Sequence, residues 1–442
     1  MTEIDELPKI FRGEDEVGLP ILPKNNVLIH GPGGTGKTYL LRKLLQRYSH
    51  LNIVATSLTG ISAINLNIPE DFIYASTIHR WAGIGLGEAD AEKLLVRARR
   101  YCKKSWNDVN ILVIDEISMM SKELFDKLDY IAKRMRRSTK PFGGIKLILS
   151  GDFLQLAPID GNWIFNAASW NDLDLEVISL TSPKRFTSIE YYNLLQRVRT
   201  DAMTDEDIQT LNTRVYPSFR DIKKLFAEKM KDDAKQIEPT ILFSRRKDTK
   251  KYNDARLDKL KTDLMMYEAD DTKKLKIVQK GESRHKKCTE YEVKFLQNLA
   301  PTIVRFKVGA QVMLSVNLAV ESGLINGSRG IVREMEKNRV LVLFARYGEM
   351  WIYPHEFELK NGEDLLIRKQ IPLILSFANT IHKVQGATID AAVCLLDRTI
   401  FADAQAYIAL SRVKSLDDLY ILKFDPDVIS VNREALRYVK SF

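Results

Sequence analysis

The stretch GPGGTGKT, Gly31 to Thr38, fits the pattern G-x-x-x-x-G-K-[ST]. What lies on either side decides its meaning. Before it runs VLIH, Val27 to His30, apolar enough for a buried strand. After it comes YLLRKLLQRY, in which Leu40, Leu41, Leu44, Leu45 and Tyr48 recur at helical spacing. Strand, glycine loop and helix in that order make a phosphate-binding loop, whereas a chance glycine-rich turn lacks both flanks. Gly31, Gly33, Gly34, Thr35 and Gly36 turn backbone N–H groups toward the phosphates, Lys37 reaches the β and γ oxygens, and Thr38 offers a hydroxyl to Mg²⁺. The expected fold class is α/β, with a nucleotide site at this loop.

Other strand ends should converge on the same crevice. In ILVIDEISMM, four apolar residues deliver Asp115 and Glu116 to the carboxyl end of a buried strand. A surface Asp-Glu pair means little, but beside a phosphate loop one carboxylate orients Mg²⁺ and its neighbour positions and deprotonates the attacking water. The strand IKLILS leads into GDFLQLAPI, which puts Gln155 within reach of a γ-phosphate. LEVISL leads into SPKRF, where Arg185 is either an ordinary surface arginine or a group reaching a phosphate across a domain interface. Ser121 reads as the N-cap of a helix with Leu124, Leu128, Ile131 and Met135 on one face, ending before PFGG.

The 442 residues are 45% hydrophobic with only 14 prolines, which gives room for two or three domains with real cores. No apolar run approaches the ~18 residues of a membrane span, and the start MTEIDE lacks a basic-then-apolar signal pattern. An intracellular protein with no membrane partner is the expectation. Cys102, Cys288 and Cys394 are too scattered for a disulfide framework or a zinc site. The net charge of +9, from 67 Lys and Arg against 58 Asp and Glu, favours a polyanionic partner, although runs such as RRKDTKK are interspersed with acids and serve as solvated faces.

Past the first helix, LNIVATSLTGISAI is a β-rich run ending in a Ser/Thr/Gly turn at the crevice. Tyr74 to Gly87, YASTIHRWAGIGLG, then sets His79 and Trp81 among hydroxyls and glycines. Alone it reads as a loop with one buried tryptophan; beside a nucleotide site, the interleaved aromatic and basic groups suit stacking on unpaired bases and phosphate contact. YYNLLQRVR and DEDIQTLNTRV form bridging helices, and a second strand-then-helix pattern begins near Pro239. From Thr262 to Arg368 the texture becomes short alternating runs with turns at Asn326-Gly327 and Lys360-Asn361-Gly362, as in a small antiparallel barrel. The α/β texture then returns, with His382, Lys383 and Gln385 at a strand-to-helix junction and Arg412 after AYIAL.

The order GPGGTGKT, ATSLTGISA, STIHRWAGIGLG, VIDEISM, PFGGIKLILSGDFLQLAPI, VGAQVML with NGSRGIV, TIHKVQGATID and YIALSR closely resembles the PIF-one (petite integration frequency) DNA helicases of superfamily one, group B. Dda-like phage helicases are more distantly similar. The resemblance runs from about Val27 to Phe442 and implies two RecA-like P-loop domains with ATP and Mg²⁺ between them. The first would occupy residues 1–180, with a small wedge insertion near 70–100. Linker helices and the start of the second would occupy 181–261, an SH3-like β-barrel insertion 262–368, and the rest of the second domain 369–442. It also implies ATP-driven 5′-to-3′ movement on single-stranded DNA and unwinding of forked, duplex or structured DNA, in replication, repair or recombination alongside proteins of those processes.

Carried over by position, Lys37 and Thr38 bind phosphate and Mg²⁺, Asp115 holds Mg²⁺, Glu116 activates water and Gln155 senses the γ-phosphate. Arg185 and Arg412 act as arginine fingers, and Gly386 joins the nucleotide site. Thr59, Gly60, Thr77, His79, Trp81, His382, Lys383 and Gln385 touch DNA or couple it to ATP. Two departures stand out. No glutamine precedes Gln46, although the group reads adenine with one before the first strand, so nucleotide choice is expected to be relaxed. Phe186 follows Arg185 where the family has glutamine. The same motor residues serve a single-strand translocase that strips bound proteins without opening duplexes. A nucleic-acid-binding scaffold with a dead ATP site is disfavoured by the intact Lys37, Asp115, Glu116, Gln155 and Arg412.

Overall fold

Apolar runs too short to be helices but unbroken by polar residues make strands that are buried on both faces, and such strands pair in parallel with helices on either side. The computed structural model, which describes residues 23–229, 237–275, 284–297, 299–316, 318, 324, 326–344, 347–361 and 364–442, has this architecture twice. In the first lobe, β1 (Asn26–His30), β2 (Ile53–Ser57), β3 (Ser76–Thr77), β4 (Ile111–Asp115), β5 (Lys146–Gly151) and β6 (Leu175–Ser179) form one sheet in the order β3-β2-β4-β5-β1-β6. Every pairing in it is parallel. The carboxyl ends of β1, β4 and β5 therefore open on one edge, which collects the phosphate loop, Asp115-Glu116 and the segment leading to Gln155. The helix after the loop, Lys37–Arg47, buries Leu40, Leu41, Leu44 and Leu45 as their spacing requires. Ser121 caps the helix Lys122–Arg136, its Oγ accepting from Leu124 N at 3.3 Å.

The second parallel sheet joins Ala378–Thr380, Thr240–Phe243, Ala392–Leu396 and Leu419–Phe424 in that order. Its first two members are neighbours in space yet far apart in sequence, because antiparallel strands intervene. These form sheets of five, four and two strands. The alternating texture extends past Arg368: Leu373–Leu375 still pairs with Gln311–Leu314 in the five-stranded sheet. Gln311 fastens that sheet to the parallel one, its Oε1 accepting from Glu238 N at 2.7 Å and its Nε2 donating to Glu238 O at 2.6 Å. The MTEIDE start and Gly362 of the second turn lie outside the described residues.

Two helices cross between the lobes. Ile189–Arg199 buries Tyr191, Leu194, Leu195 and Val198 among residues of the second sheet and its helices, and Tyr191 OH donates to Leu410 O at 2.7 Å. Arg433–Val439 returns to the first lobe, where Ala435 and Leu436 enter the core. There Trp170 Nε1 donates to Tyr438 OH at 2.9 Å. The two lobes are thereby held with their ligand edges facing.

Candidate nucleotide site and nucleic-acid cleft

The phosphate loop meets groups from the second lobe at van der Waals range. A Cβ added at Gly33 would lie 3.4 Å from Arg412 Nη2, 3.4 Å from Gln155 Nε2 and 3.7 Å from Tyr407 OH. One added at Gly34 would lie 2.7 Å from Arg185 Cβ. Gly33 N donates to Tyr407 OH at 3.3 Å, while Gly34 O accepts from Lys184 N at 2.8 Å and from Arg185 N at 3.1 Å. Side chains at either glycine would close the space that a phosphate chain needs. Thr35 is buried within the loop. Lys37 Nζ donates to Gly31 O at 2.6 Å and Pro32 O at 3.0 Å, and burial lowers its pKa against the pull of Asp152, Glu116 and Asp115.

Arg185 and Arg412 converge on this loop. Arg185 donates to Ser411 O at 3.0 Å and Gly386 O at 3.1 Å, so it spans from the loop to the second lobe. Arg412 is fully buried, with Nε donating to Ile408 O at 2.7 Å and Nη2 to Ser411 Oγ at 2.6 Å. Burial and the neighbouring charge of Arg185 bring its pKa down to about 9. The Arg412 guanidinium faces the loop from the second lobe, while Arg185 lies against Gly34 through its stem and carries its guanidinium to the second lobe, so two cations meet beside a phosphate loop, as anion recognition requires. Gly386, taken from the resemblance as part of this site, contributes its carbonyl to Arg185.

The carboxylates answer the same geometry. Asp115 is 4% exposed and its pKa is raised by burial. Glu116, in the left-handed region at φ 57°, is pushed up to about 7 by burial first and by the charge of Asp115 second. A carboxyl that can be either protonated or free near neutrality suits a general base. Gln385 Nε2 lies 3.3 Å from Glu116 Oε2 and 3.4 Å from Gln155 Oε1, which ties the second lobe to both. Gln155 itself donates to Asp152 Oδ2 at 3.1 Å. Burial alone would raise the Asp152 carboxyl, but the Arg199 charge and hydrogen bonds hold it well below the carboxylate range.

His30, at the end of β1, completes this buried group, its Nε2 3.3 Å from Arg199 Nη2. Burial lowers its pKa from 6.5 to about 4. Between those values the unfolded chain takes up a proton that folded His30 refuses, so stability falls as pH drops from 6.5 to 4. The loss attributable to this group is about 3 kcal/mol. Urea unfolding at several pH values across that window should show His30→Gln losing less stability than wild type; parallel losses would contradict the assignment.

A cleft of about 3270 Å³ runs between the lobes, and its lining includes Thr59, Gly60, Thr77, His79, His382, Lys383 and Gln385. Eleven Lys and Arg side chains line it against five Asp and Glu, a balance that suits a polyanion. Glu116 also lines it, so the nucleotide site and the cleft share a wall.

Trp81 is a correction. It is 8% exposed, its ring centroid lies 4.5 Å from that of Trp106, and it is a core residue that does not line the cleft. On the short helix Ile78–Trp81, Ile78 and Trp81 at i and i+3 share the buried face, which leaves His79 and Arg80 toward the cleft.

Sequence reading also missed residues. Arg80 lies 4.5 Å over the Phe295 ring and makes no hydrogen bond among the described residues. Phe401 is 58% exposed, lines the cleft, and is near-parallel to His382 at 6.2 Å. Tyr407 carried one signal, a hydroxyl in an apolar run just before Arg412. Arg199 carried none.

A family model described as PIF1-like helicase matches residues 22–209, and one described as DNA helicase Pif1, 2B domain, matches residues 294–335. The ATP-dependent DNA helicase PIF1 of Danio rerio is 34% identical over 98% of this chain and 64% of its own length. The chain thus spans a little under two thirds of that relative. The crystal structure of the Pif1 helicase from Candida albicans is 28% identical and superposes with a TM-score of 0.69, covering 96% of this chain and 100% of that one. A structure of DNA unwinding at forked duplex DNA by two coordinating Pif1 helicases is 25% identical, with a TM-score of 0.57 over 95% of this chain and 93% of that one.

Proposed function

The chain belongs to the PIF1-like helicase family, and from that premise we propose that it is an ATP-dependent DNA helicase that moves 5′ to 3′ along single-stranded DNA. The observation that carries the reading is that Arg412 of the second lobe faces Gly33 while Arg185, packed on Gly34, reaches back to the second lobe, with Gln385 joining that site to a basic cleft. A site completed only when two lobes meet couples nucleotide state to lobe spacing. In this reading both parallel sheets are RecA-like domains, the antiparallel sheets contain the SH3-like insertion, and the segment near 70–100 carries the wedge.

Lys37 would anchor the β and γ oxygens, Glu116 would accept a proton from the attacking water, and Gln155 would sense the γ-phosphate. Arg185 and Arg412 would stabilise charge as the cleft closes. Thr38 and buried Asp115 fit Mg²⁺, which when bound neutralises phosphate charge. The exposed Phe401 suits base stacking. Forked DNA as a substrate, proteins of replication or repair as partners, and an intracellular location complete the proposal. No helix among the described residues is long and apolar enough to cross a membrane.

The test is ATP turnover with and without single-stranded DNA, followed by strand separation. Stimulation with separation is expected; no turnover ends the reading, and stimulated turnover without separation supports the translocase instead. Phe401→Ala should weaken single-strand affinity about tenfold, as expected for one lost stacking contact, without changing turnover in the absence of DNA. Fluorescence quenching of a base analogue placed along the strand would report the lost stack, and wild-type affinity would remove Phe401 from the DNA path.

A further inference from the structure

The apolar face of the helix Ile189–Arg199 sits in the second lobe's core, but its last residue reaches the first lobe. Arg199 Nη2 donates to Asp152 Oδ1 at 2.6 Å and Nε to Asp152 Oδ2 at 3.1 Å, a two-pronged pair in which both residues are at most 5% exposed. The same carboxylate accepts from Leu154 N at 3.1 Å and from Gln155 Nε2 at 3.1 Å. Gln155 Oε1 in turn accepts from Gln385 Nε2, which also reaches Glu116 Oε2. One hydrogen-bonded path therefore runs from a helix seated in one lobe to the carboxylate of the nucleotide site in the other.

A buried ion pair contributes little net stability over an apolar pair of similar volume, because desolvating two charges offsets their attraction. What a two-pronged Arg–carboxylate pair supplies is fixed direction. Neither Asp152 nor Arg199 lines the cleft, and neither belongs to the group facing Gly33.

We propose that Arg199 and Asp152 are positioning residues: their pair is the pin on which the lobes turn, and it sets Gln155, and through Gln385 also Glu116, in line as the cleft closes on ATP. The proposal rests on the reading of Gln155 and Glu116 as nucleotide-site residues. The pin acts on the closed, DNA-stimulated state, so its loss should lower turnover while leaving initial ATP capture largely intact.

The test compares wild type with the double variant Asp152→Asn/Arg199→Met, which leaves no unpaired buried charge, and with Arg199→Lys, which keeps the charge but cannot grip both oxygens. Thermal unfolding, ATP KM, and kcat with and without saturating single-stranded DNA are measured for each. The expected result is a folded double variant whose DNA-stimulated kcat falls about ten- to a hundredfold with little change in KM, and an intermediate loss in Arg199→Lys. A folded double variant with wild-type stimulated kcat overturns the pin. So does a fall in kcat that only tracks lost folded protein. If the double variant does not fold, Arg199→Lys decides, and wild-type turnover in it has the same consequence. Absence of ATP turnover in wild type overturns the nucleotide-site reading itself, and the pin with it.

Discussion

Arg412→Gln is expected to lower DNA-stimulated ATP turnover by about a thousandfold or more, the scale on which arginine fingers act. Arg412 is fully buried, its Nη2 faces the Cβ position of Gly33 at 3.4 Å, and its charge is made costly by burial and by Arg185. In the proposed reading, the negative charge that develops as the γ-phosphoryl group leaves would compensate a cation held at such cost beside a phosphate loop. Glutamine keeps two N–H donors, enough for at most two of the Ile408, Val384 and Ala387 carbonyls, and removes the charge. Arg412 does not line the basic cleft, so single-strand affinity in the absence of nucleotide should be unchanged. Steady-state turnover and fluorescence anisotropy separate the two effects. A kcat close to wild type would exclude Arg412 from the transition state.

Lys37→Ala comes next, with an expected loss in kcat/KM of about a hundred- to a thousandfold. Lys37 is a half-buried cation among Asp115, Glu116 and Asp152, and its Nζ donors are directed at the loop's own carbonyls. Nucleotide phosphates are the stronger acceptors and would take those donors. Alanine removes them and also leaves the carboxylates less compensated, so nucleotide affinity and turnover should fall together. A Lys37→Ala protein that hydrolyses ATP at the wild-type rate would remove the loop from the active site.

How far the sequence disclosed this site depends on the reach of each interaction. Lys37 and Thr38 were legible because a phosphate loop is defined by eight contiguous residues and two flanks. The Ser121 cap and its helix were legible for the same reason. Asp115, Glu116 and Gln155 needed one further inference, that parallel strands present their carboxyl ends on one edge, and the register of β1, β4 and β5 bears it out. The contacts of Arg412 and Tyr407 with Gly33 join residues at opposite ends of the chain, and the pairing of Arg199 with Asp152 depends on how a bridging helix docks. No local pattern encodes either.

Trp81 shows the opposite error. Its composition suggested a stacking surface, but its i,i+3 partner Ile78 already marked the buried face. The antiparallel texture between Thr262 and Arg368 was readable as alternation. Its division into three sheets was not, because strand pairing is set by long-range register.

In the proposed mechanism, ATP turnover at this two-lobed site drives 5′-to-3′ movement that opens duplex DNA. Its most direct test is strand separation on two matched partial duplexes, one with a 5′ and one with a 3′ single-stranded tail, with ATP and with Lys37→Ala as control. Only the 5′-tailed duplex is expected to open, and Lys37→Ala is expected to open neither. Opening of the 3′-tailed duplex alone, or opening by Lys37→Ala, would contradict that mechanism.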